Sequence, residues 1–301
     1  MHSKQEHKLK VFWLQGLTCN GNAHSFLNLD YLGELLEKIE FLHHPLLPAK
    51  YALSEMAECK TGCDVLIFEG AYDPSLKRAG VFVDKILRHY AKNAKYIIAV
   101  GTCASFGGIF KATSPQTNSG ILFNENDKNG PLQEYNEKII NLSGCPVHPE
   151  WLGFTLNMII DRRKIVLDEE HRPQELYSSL VHHGCTRNEY FEWKVDVNHF
   201  GQKEGCLFYK QGCRAPMTHG SCNTILWNGV NSKTRSGTPC FGCTESDFPR
   251  TNFFETKTNM SIPADAPVGV PKRAYLTVTG IAKTFHIKRL EEPLIDYKNN
   301  T

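Results

Sequence analysis

The sequence predicts an α/β fold: a domain built on a parallel sheet, followed by a smaller and largely irregular region organised around cysteines. Three observations predict it. In the first half, short all-apolar segments alternate with helical patterns, and each segment stops at a glycine or a cysteine. After Pro173 the apolar periodicity fades into glycine, asparagine, threonine and cysteine. Nine of the eleven cysteines stand in such loops or in that irregular region.

The elements follow in order. Lys10 to Leu14 is a short apolar run that stops at Gly16 and opens into a turn carrying Cys19. Phe26, Leu29, Leu32, Leu35, Leu36 and Ile39 recur at helical spacing, the pattern of one buried helical face. Val65 to Phe68 reads as a strand buried on both faces and ends at Glu69-Gly70. Val81 to Ala91 is helical again, and Tyr96 to Val100 is a strand that breaks at Gly101-Thr102-Cys103. Ile139 to Leu142 leads into Ser143-Gly144-Cys145-Pro146, and Trp151 to Ile160 reads as a helix. Parallel sheets gather ligands at the carboxyl ends of their strands. Cys19, Glu69, Cys103 and Cys145 all follow strand ends, so the three cysteines are expected to converge on one metal site. From Pro263 to Thr301 the chain reads as a surface tail with a strand or short helix around Ala274 to Val278. The division predicted is an N-terminal extension at 1–9, a sheet domain at 10–175 and a cluster-binding domain with its tail at 176–301.

With 34 basic and 32 acidic residues the formal charge is +2, too weak a field to argue for nucleic acid. Val11-Phe12-Trp13-Leu14 is too short for the core of a signal peptide, and no stretch approaches the roughly 20 apolar residues of a membrane helix. A cytoplasmic location is expected, with membrane association through a partner as the other option. Reducing compartments keep thiols free for metals or catalysis rather than for disulfides.

Cysteine spacing carries the chemistry. Cys240-Phe241-Gly242-Cys243 is a C-x-x-C pair, and taken alone it suits zinc as well as iron. His182, Cys185, Cys206, Cys213 and Cys222 add to it, giving seven potential ligands in about 60 residues, too many for one tetrahedral zinc. Two iron-sulfur clusters fit them better, and a non-enzymatic zinc scaffold is the bland alternative. A region with so few periodic apolar positions would borrow stability from its metals.

These residues carry a family resemblance. Trp13 to Cys19, Phe68-Glu69-Gly70-Ala71, Gly101 to Gly108, Gly144 to Pro149, His182-His183-Gly184-Cys185, Gly212 to Pro216 and Pro239 to Cys243 form seven ordered motifs. From about Lys10 to Phe254 the chain resembles the small, electron-transferring subunit of a nickel-iron hydrogenase, in particular the cytoplasmic uptake and sensor-type members. The resemblance implies a flavodoxin-like, doubly wound parallel sheet domain holding a proximal cluster, then a less regular domain holding a medial and a distal one. Cys19, Cys103 and Cys145 match the proximal ligands; His182, Cys185, Cys206 and Cys213 the distal; Cys222, Cys240 and Cys243 the medial. It further implies a large partner subunit with a nickel-iron centre that splits hydrogen, an acceptor protein or quinone pathway beyond the distal cluster, and a higher oligomer of heterodimers. No residue of this chain is implied as a catalytic acid, base or nucleophile.

The chain departs from the family where C-x-x-C is usual: here it has Cys19-Asn20-Gly21-Asn22, and Asn22 takes the second cysteine's place. An amide is a poor iron ligand beside thiolate, so the proximal cluster is expected as a three-iron form, or a 4Fe-4S form completed by oxygen. The medial set has three cysteines, and Lys233 stands where a proline accompanies 3Fe-4S medial clusters; 3Fe-4S and 4Fe-4S both stay open. The distal set has four ligands and is expected to hold 4Fe-4S.

The remaining residues have plainer readings. Cys59 and Cys63 match no ligand and read as structural, with a contribution to the incomplete proximal site as their one functional option. His183 rivals His182, whose offset to Cys185 is the one the motif fixes. Glu69 is either a strand-end carboxylate or a proton relay beside the proximal cluster. His24 and His148 read as hydrogen-bonded loop residues, with His148 near enough to Cys145 to tune a cluster. Gly107-Gly108 lacks the Lys-Ser or Lys-Thr of a phosphate loop. Two further functions stay in view: a hydrogen sensor of the same architecture that signals through a kinase, and the cluster subunit of a quinone-reducing complex, against which the six downstream cysteines argue.

Overall fold

A computed structural model of the chain describes residues 8–58, 61–124, 126–259 and 262–284. Five strands form one sheet: β1 (Leu9–Gln15), β2 (Ile39–His43), β3 (Val65–Glu69), β4 (Tyr96–Val100) and β5 (Ile139–Leu142). Their order is β2-β1-β3-β4-β5 and every pairing is parallel, the order of flavodoxin-like sheets. The register is level at the carboxyl edge. Gln15 pairs with Glu69, Glu69 with Val100, and Val100 with Leu142, so the loops that follow start side by side.

The apolar runs become strands because both faces are covered. Phe12, Trp13, Leu14 and all of Val65 to Glu69 are buried. Around the sheet lie α1 (Gly21–Phe26), α2 (Leu32–Lys38), α3 (Val83–Asn93), α4 (Thr102–Phe106) and α5 (Pro149–Ile160). Helix α3 turns Val83, Ile86, Leu87 and Tyr90 inward, a stripe at i, i+3, i+4 and i+7. Helix α5 is capped by His148, whose Nδ1 accepts from the Glu150 amide at 3.2 Å, with Pro149 in its first turn.

One element differs from the sequence reading. The helical spacing from Phe26 to Ile39 is broken into α1 and α2, and Ile39 opens the edge strand β2. Ile39, Phe41 and Leu42 are buried there, because pairing with β1 satisfies the backbone that a longer helix would have satisfied internally.

The chain divides into two units. The first runs to Ser178 and takes in Cys243–Pro249; the second comprises Ser179–Gly242 and the residues from Arg250 onward. The sequence alone places 243–249 with the cluster domain. Three buried donors of the first unit hold this segment: Thr102 Oγ1 donates to the Cys243 carbonyl, Ser143 Oγ to the Thr244 carbonyl at 2.7 Å, and Arg172 Nη1 to the same Thr244 carbonyl at 3.3 Å. Arg172 is 2% exposed and pairs with Asp168, Glu170 and Glu245 at 2.8, 3.2 and 3.6 Å.

The second unit has little regular structure. Its described elements are short apart from α6 (Lys272–Thr284), which settles the strand-or-helix reading of 274–278 as helix. Cys206, Cys213 and Cys240 are themselves members of its buried core, with Phe191, Leu207 and Phe208. Among the described residues no helix is long and apolar enough to cross a membrane.

Candidate metal centres

In the first unit the level strand ends deliver three cysteine loops to one edge. Cys19 follows β1, Cys103 lies in the first turn of α4 after β4, and Cys145 follows β5. Thr102 ties two of these loops: its amide donates to the Gly144 carbonyl at 3.0 Å, and its Oγ1 accepts from the Gly144 amide at 2.8 Å. Gly21 closes the third. A Cβ there would sit 3.2 Å from Cys19 Sγ and 3.7 Å from Pro146 Cβ. Cys19 and Cys145 are exposed and Cys103 is half-buried. Burial pushes the Cys103 thiol up, as do the neighbouring Cys19 and Glu69 charges; the backbone amides of Ile109 and Phe110 pull it down. Gly108 makes room for this sulfur, since a Cβ there would lie 2.8 Å from it.

Asn22 is buried, and its Oδ1 accepts from the Val147 amide at 2.9 Å. Where the resemblance implies a second thiolate, this chain has a hydrogen bond between the first loop and the Cys145 loop. Glu69 is fully buried and accepts four hydrogen bonds: from the Asn22 and Ala23 amides at 3.0 and 3.2 Å, Trp13 Nε1 at 3.0 Å and Gln15 Nε2 at 3.3 Å. The carboxylate fastens the start of α1 to the sheet edge, where amides at a helix start favour negative charge.

In the second unit one cavity is lined by His182, Cys185, Cys206 and Cys213 together, with Arg187 and Phe208 beside them. His183 does not line it. Each sulfur accepts a backbone amide: Cys185 from Arg187 at 3.4 Å, Cys206 from Phe208 at 3.4 Å and Cys213 from Cys240 at 3.3 Å. Such bonds stabilise thiolate and tune clusters. Burial pushes the Cys206 and Cys213 thiols up to about 12 and pulls His182 down to about 4, with His183 adding to the latter. The imidazole is thus neutral, the form that binds metal.

Arg187 carries no signal in the sequence. It is buried, its charge lies beside Cys185, Cys206 and Cys213, and it donates to the carbonyls of Thr234, Gly205 and Gln202 at 2.7, 2.8 and 2.5 Å. It both laces the cavity wall and supplies positive charge where thiolates gather. A lone arginine two residues after a cysteine offers no pattern by which to find it.

Of the third set, Cys222 and Cys240 belong to the second unit and Cys243 to the first. Cys222 is half-buried and Cys240 buried. The loop after Cys222 is anchored by Asn223, which donates to the Val181 carbonyl at 2.6 Å and accepts from Ser232 and Thr234 at 2.5 and 2.9 Å. Cys63 lies in the apolar core beside Met56 and Ala57, at the end of β3 opposite Glu69, where burial and then Asp64 push its thiol up to about 12. Cys59 lies outside the described residues. His24 is exposed, and His148 stacks on Trp151 at 5.6 Å.

Among the described residues no three His, Cys, Asp or Glu side chains are arranged to hold a metal ion. A tetrahedral zinc needs its donors gathered about one centre at 2.0–2.3 Å. A polynuclear cluster binds each thiolate to a different iron, so its ligands stand further apart. The His182 cavity, with soft donors, buried walls and amides on its sulfurs, fits a group of that kind.

The fold and these thiol sets define an iron-sulfur protein on a flavodoxin-like sheet. The family model for the C-terminal region of the NiFe/NiFeSe hydrogenase small subunit matches residues 177–255, and that for the 20 Kd subunit of NADH ubiquinone oxidoreductase matches 19–159. The chain is 30% identical over 285 residues to the F420 non-reducing hydrogenase I small subunit of Methanosarcina mazei, covering 80% of this chain and 73% of that one. It is 30% identical over 271 residues to the periplasmic [NiFe] hydrogenase small subunit of Solidesulfovibrio fructosivorans, covering 83% and 82%. The recombinant [NiFeSe] hydrogenase from Desulfovibrio vulgaris Hildenborough superposes with a TM-score of 0.70 at 27% identity, over 83% of this chain and 99% of that chain. The chain belongs to the nickel-iron hydrogenase small subunits. As such it is one part of a heteromeric hydrogenase, pairs with a large subunit that holds the nickel-iron centre, and carries iron-sulfur clusters.

Proposed function

We propose that this chain conducts electrons between hydrogen oxidation in the large subunit and an external acceptor, with three cluster positions along the way. The observation that carries this reading is the single cavity lined by His182, Cys185, Cys206 and Cys213. Iron-sulfur clusters supply one-electron transfer when bound. The chain's residues do the rest. Cys19, Cys103 and Cys145 offer thiolates at a partly exposed edge, suited to the end nearest the large subunit. His182, Cys185, Cys206 and Cys213 would hold the distal 4Fe-4S group. Cys222, Cys240 and Cys243 are assigned to the medial group from the sequence. Backbone amides on the sulfurs and the Arg187 guanidinium would stabilise charge around the distal position, and a neutral imidazole in place of thiolate makes it less negative. Asn22, its oxygen engaged by Val147, leaves three thiolates for the proximal position.

The test is the heteromeric complex purified without oxygen. Iron and acid-labile sulfide are expected, and Cys206→Ala should remove one set of electron paramagnetic resonance signals while the others persist. Zinc without sulfide overturns the reading. Negligible hydrogen turnover with dye, together with tight binding of a histidine kinase, assigns the sensor function instead.

A further inference from the structure

We propose that the second unit seats a small electron acceptor in a cavity walled by Cys213, and that this acceptor is a planar aromatic molecule carrying negative charge, of the anionic quinone class. The proposal rests on the electron-transfer reading above and adds to it the acceptor's chemistry and place. The cavity has a volume of about 410 Å³, within the range of roughly 300–1,000 Å³ found for small-molecule sites. It is separate from the cavity lined by His182, but Phe208 and Cys213 line both. Cys213, itself one of the proposed distal ligands, therefore forms part of the wall of both cavities.

Its lining specifies the ligand. Phe208, Phe241 and Phe253 line it, with the Phe241 and Phe253 rings 5.1 Å apart. Flat apolar faces of this kind bind another aromatic plane by offset or edge contact. The charged lining is Arg214, Arg250 and Lys257 against Asp265 and Glu255. One carboxylate oxygen, Asp265 Oδ2, serves both Arg214 at 2.6 Å and Arg250 at 3.3 Å. The lining thus carries three cationic side chains against two carboxylates, and a planar guanidinium suits a carboxylate or sulfonate. Arg250, Thr251, Asn252 and Lys257 are exposed, which gives the cavity a polar rim open to solvent among the described residues.

The electrons balance. One molecule of hydrogen gives two electrons and two protons; a bound quinone takes the two electrons one at a time and two protons from water, and leaves as hydroquinone. The oxidant is the quinone itself and the reductant is the hydrogen consumed by the enzyme.

The probe is anthraquinone-2-sulfonate with the anaerobically purified hydrogenase complex, its binding read by equilibrium dialysis without hydrogen. Saturable binding is expected. Phe253→Ala should weaken it at least about fivefold, and Phe253→Tyr should retain it. Arg250→Gln should weaken the sulfonate by about two- to fivefold and leave the uncharged parent anthraquinone unchanged. The KM for the quinone in hydrogen-linked reduction should rise in the same order. Absence of saturable binding to the unaltered complex, or equal affinity in all three variants, overturns the proposal. Iron and sulfide measured on the same preparations separate failure of this site from failure of the electron-transfer reading, and show whether each variant has folded.

Discussion

Thr102 donates its hydroxyl hydrogen to the carbonyl oxygen of Cys243, 141 residues further along the chain. The hydroxyl oxygen in turn accepts from the Gly144 amide at 2.8 Å. One side chain thus ties the loops of three cysteines, Cys103, Cys145 and Cys243, within the first unit. Removing it leaves the buried Gly144 amide without this acceptor, at a cost of about 1–3 kcal/mol. Thr102→Val should therefore lower the thermal midpoint of the complex and reduce its iron content, whereas Thr102→Ser should restore most of both. A Thr102→Ser complex no more stable than Thr102→Val would show that the hydroxyl does not hold these loops.

His44 sets an acid limit on stability. Its ring packs against Trp13 and Phe41 at 4.7 Å each, and Nδ1 accepts from the Leu46 and Leu47 amides at 3.1 and 3.0 Å. Burial, then the charge of His43, pull its pKa down to about 3 from an ordinary 6.5. Between those values the unfolded chain binds the proton and the folded chain does not. Stability is therefore lost as pH falls below about 6.5, by at most about 1.4 kcal/mol per pH unit from this group, and is flat above it. His44→Gln keeps an acceptor without the proton site. Denaturation midpoints from pH 7 down to pH 5 should fall less steeply for His44→Gln than for the native chain; parallel slopes would refute the assignment.

The strands were legible where burial on both faces leaves an unbroken apolar run, as in Val65 to Phe68 and Tyr96 to Val100. Edge strand β2 was not, because Leu32, Leu35 and Leu36 set a helical spacing that Ile39 happens to continue. The loop cysteines were legible because chemistry puts rare residues in a pattern. Arg187 and Thr102 were hidden for the opposite reason: a single arginine or threonine has no periodicity, and its role arises from partners far away in sequence. The same holds for Cys243–Pro249, held in the first unit in part by Arg172, which is buried beside Glu245 and two carboxylates, Asp168 and Glu170, that in sequence look like an ordinary solvated charge run.

Gly101 and Asn22 form a coupled pair. Gly101 has φ of 84°, and a Cβ there would lie 2.4 Å from Asn22 Nδ2. Gly101→Ala should cost about 1–3 kcal/mol through backbone strain and overlap. Asn22→Ala removes the overlap but orphans the Val147 amide. The double variant is expected to be less unstable than the sum of the two single losses by at least about 0.5 kcal/mol. Thermal midpoints of the four complexes measure this coupling, and strict additivity would show that the two residues do not press on one another.

Removal of iron should affect the two units unequally. The first unit has a five-stranded sheet and an extensive apolar core that includes Phe12, Leu66, Phe68 and Tyr90. The second has few regular elements, and three of its core members are Cys206, Cys213 and Cys240. Without metal, burial holds the Cys206 and Cys213 thiols neutral and hydrogen bonds such as those of Arg187 link the loops that carry them; a small region of this kind draws its folding free energy from the bound group. Treatment of the full complex with an oxidant and a chelator should expose 179–242 to protease while the sheet of the first unit resists. Cleavage is expected first near the exposed Trp193 and Phe200, which flank the loop leading to Cys206. Mass spectrometry of the early fragments reads this directly. Early cuts within β1 to β5, with 179–242 intact, would mean that the second unit stands without its metal.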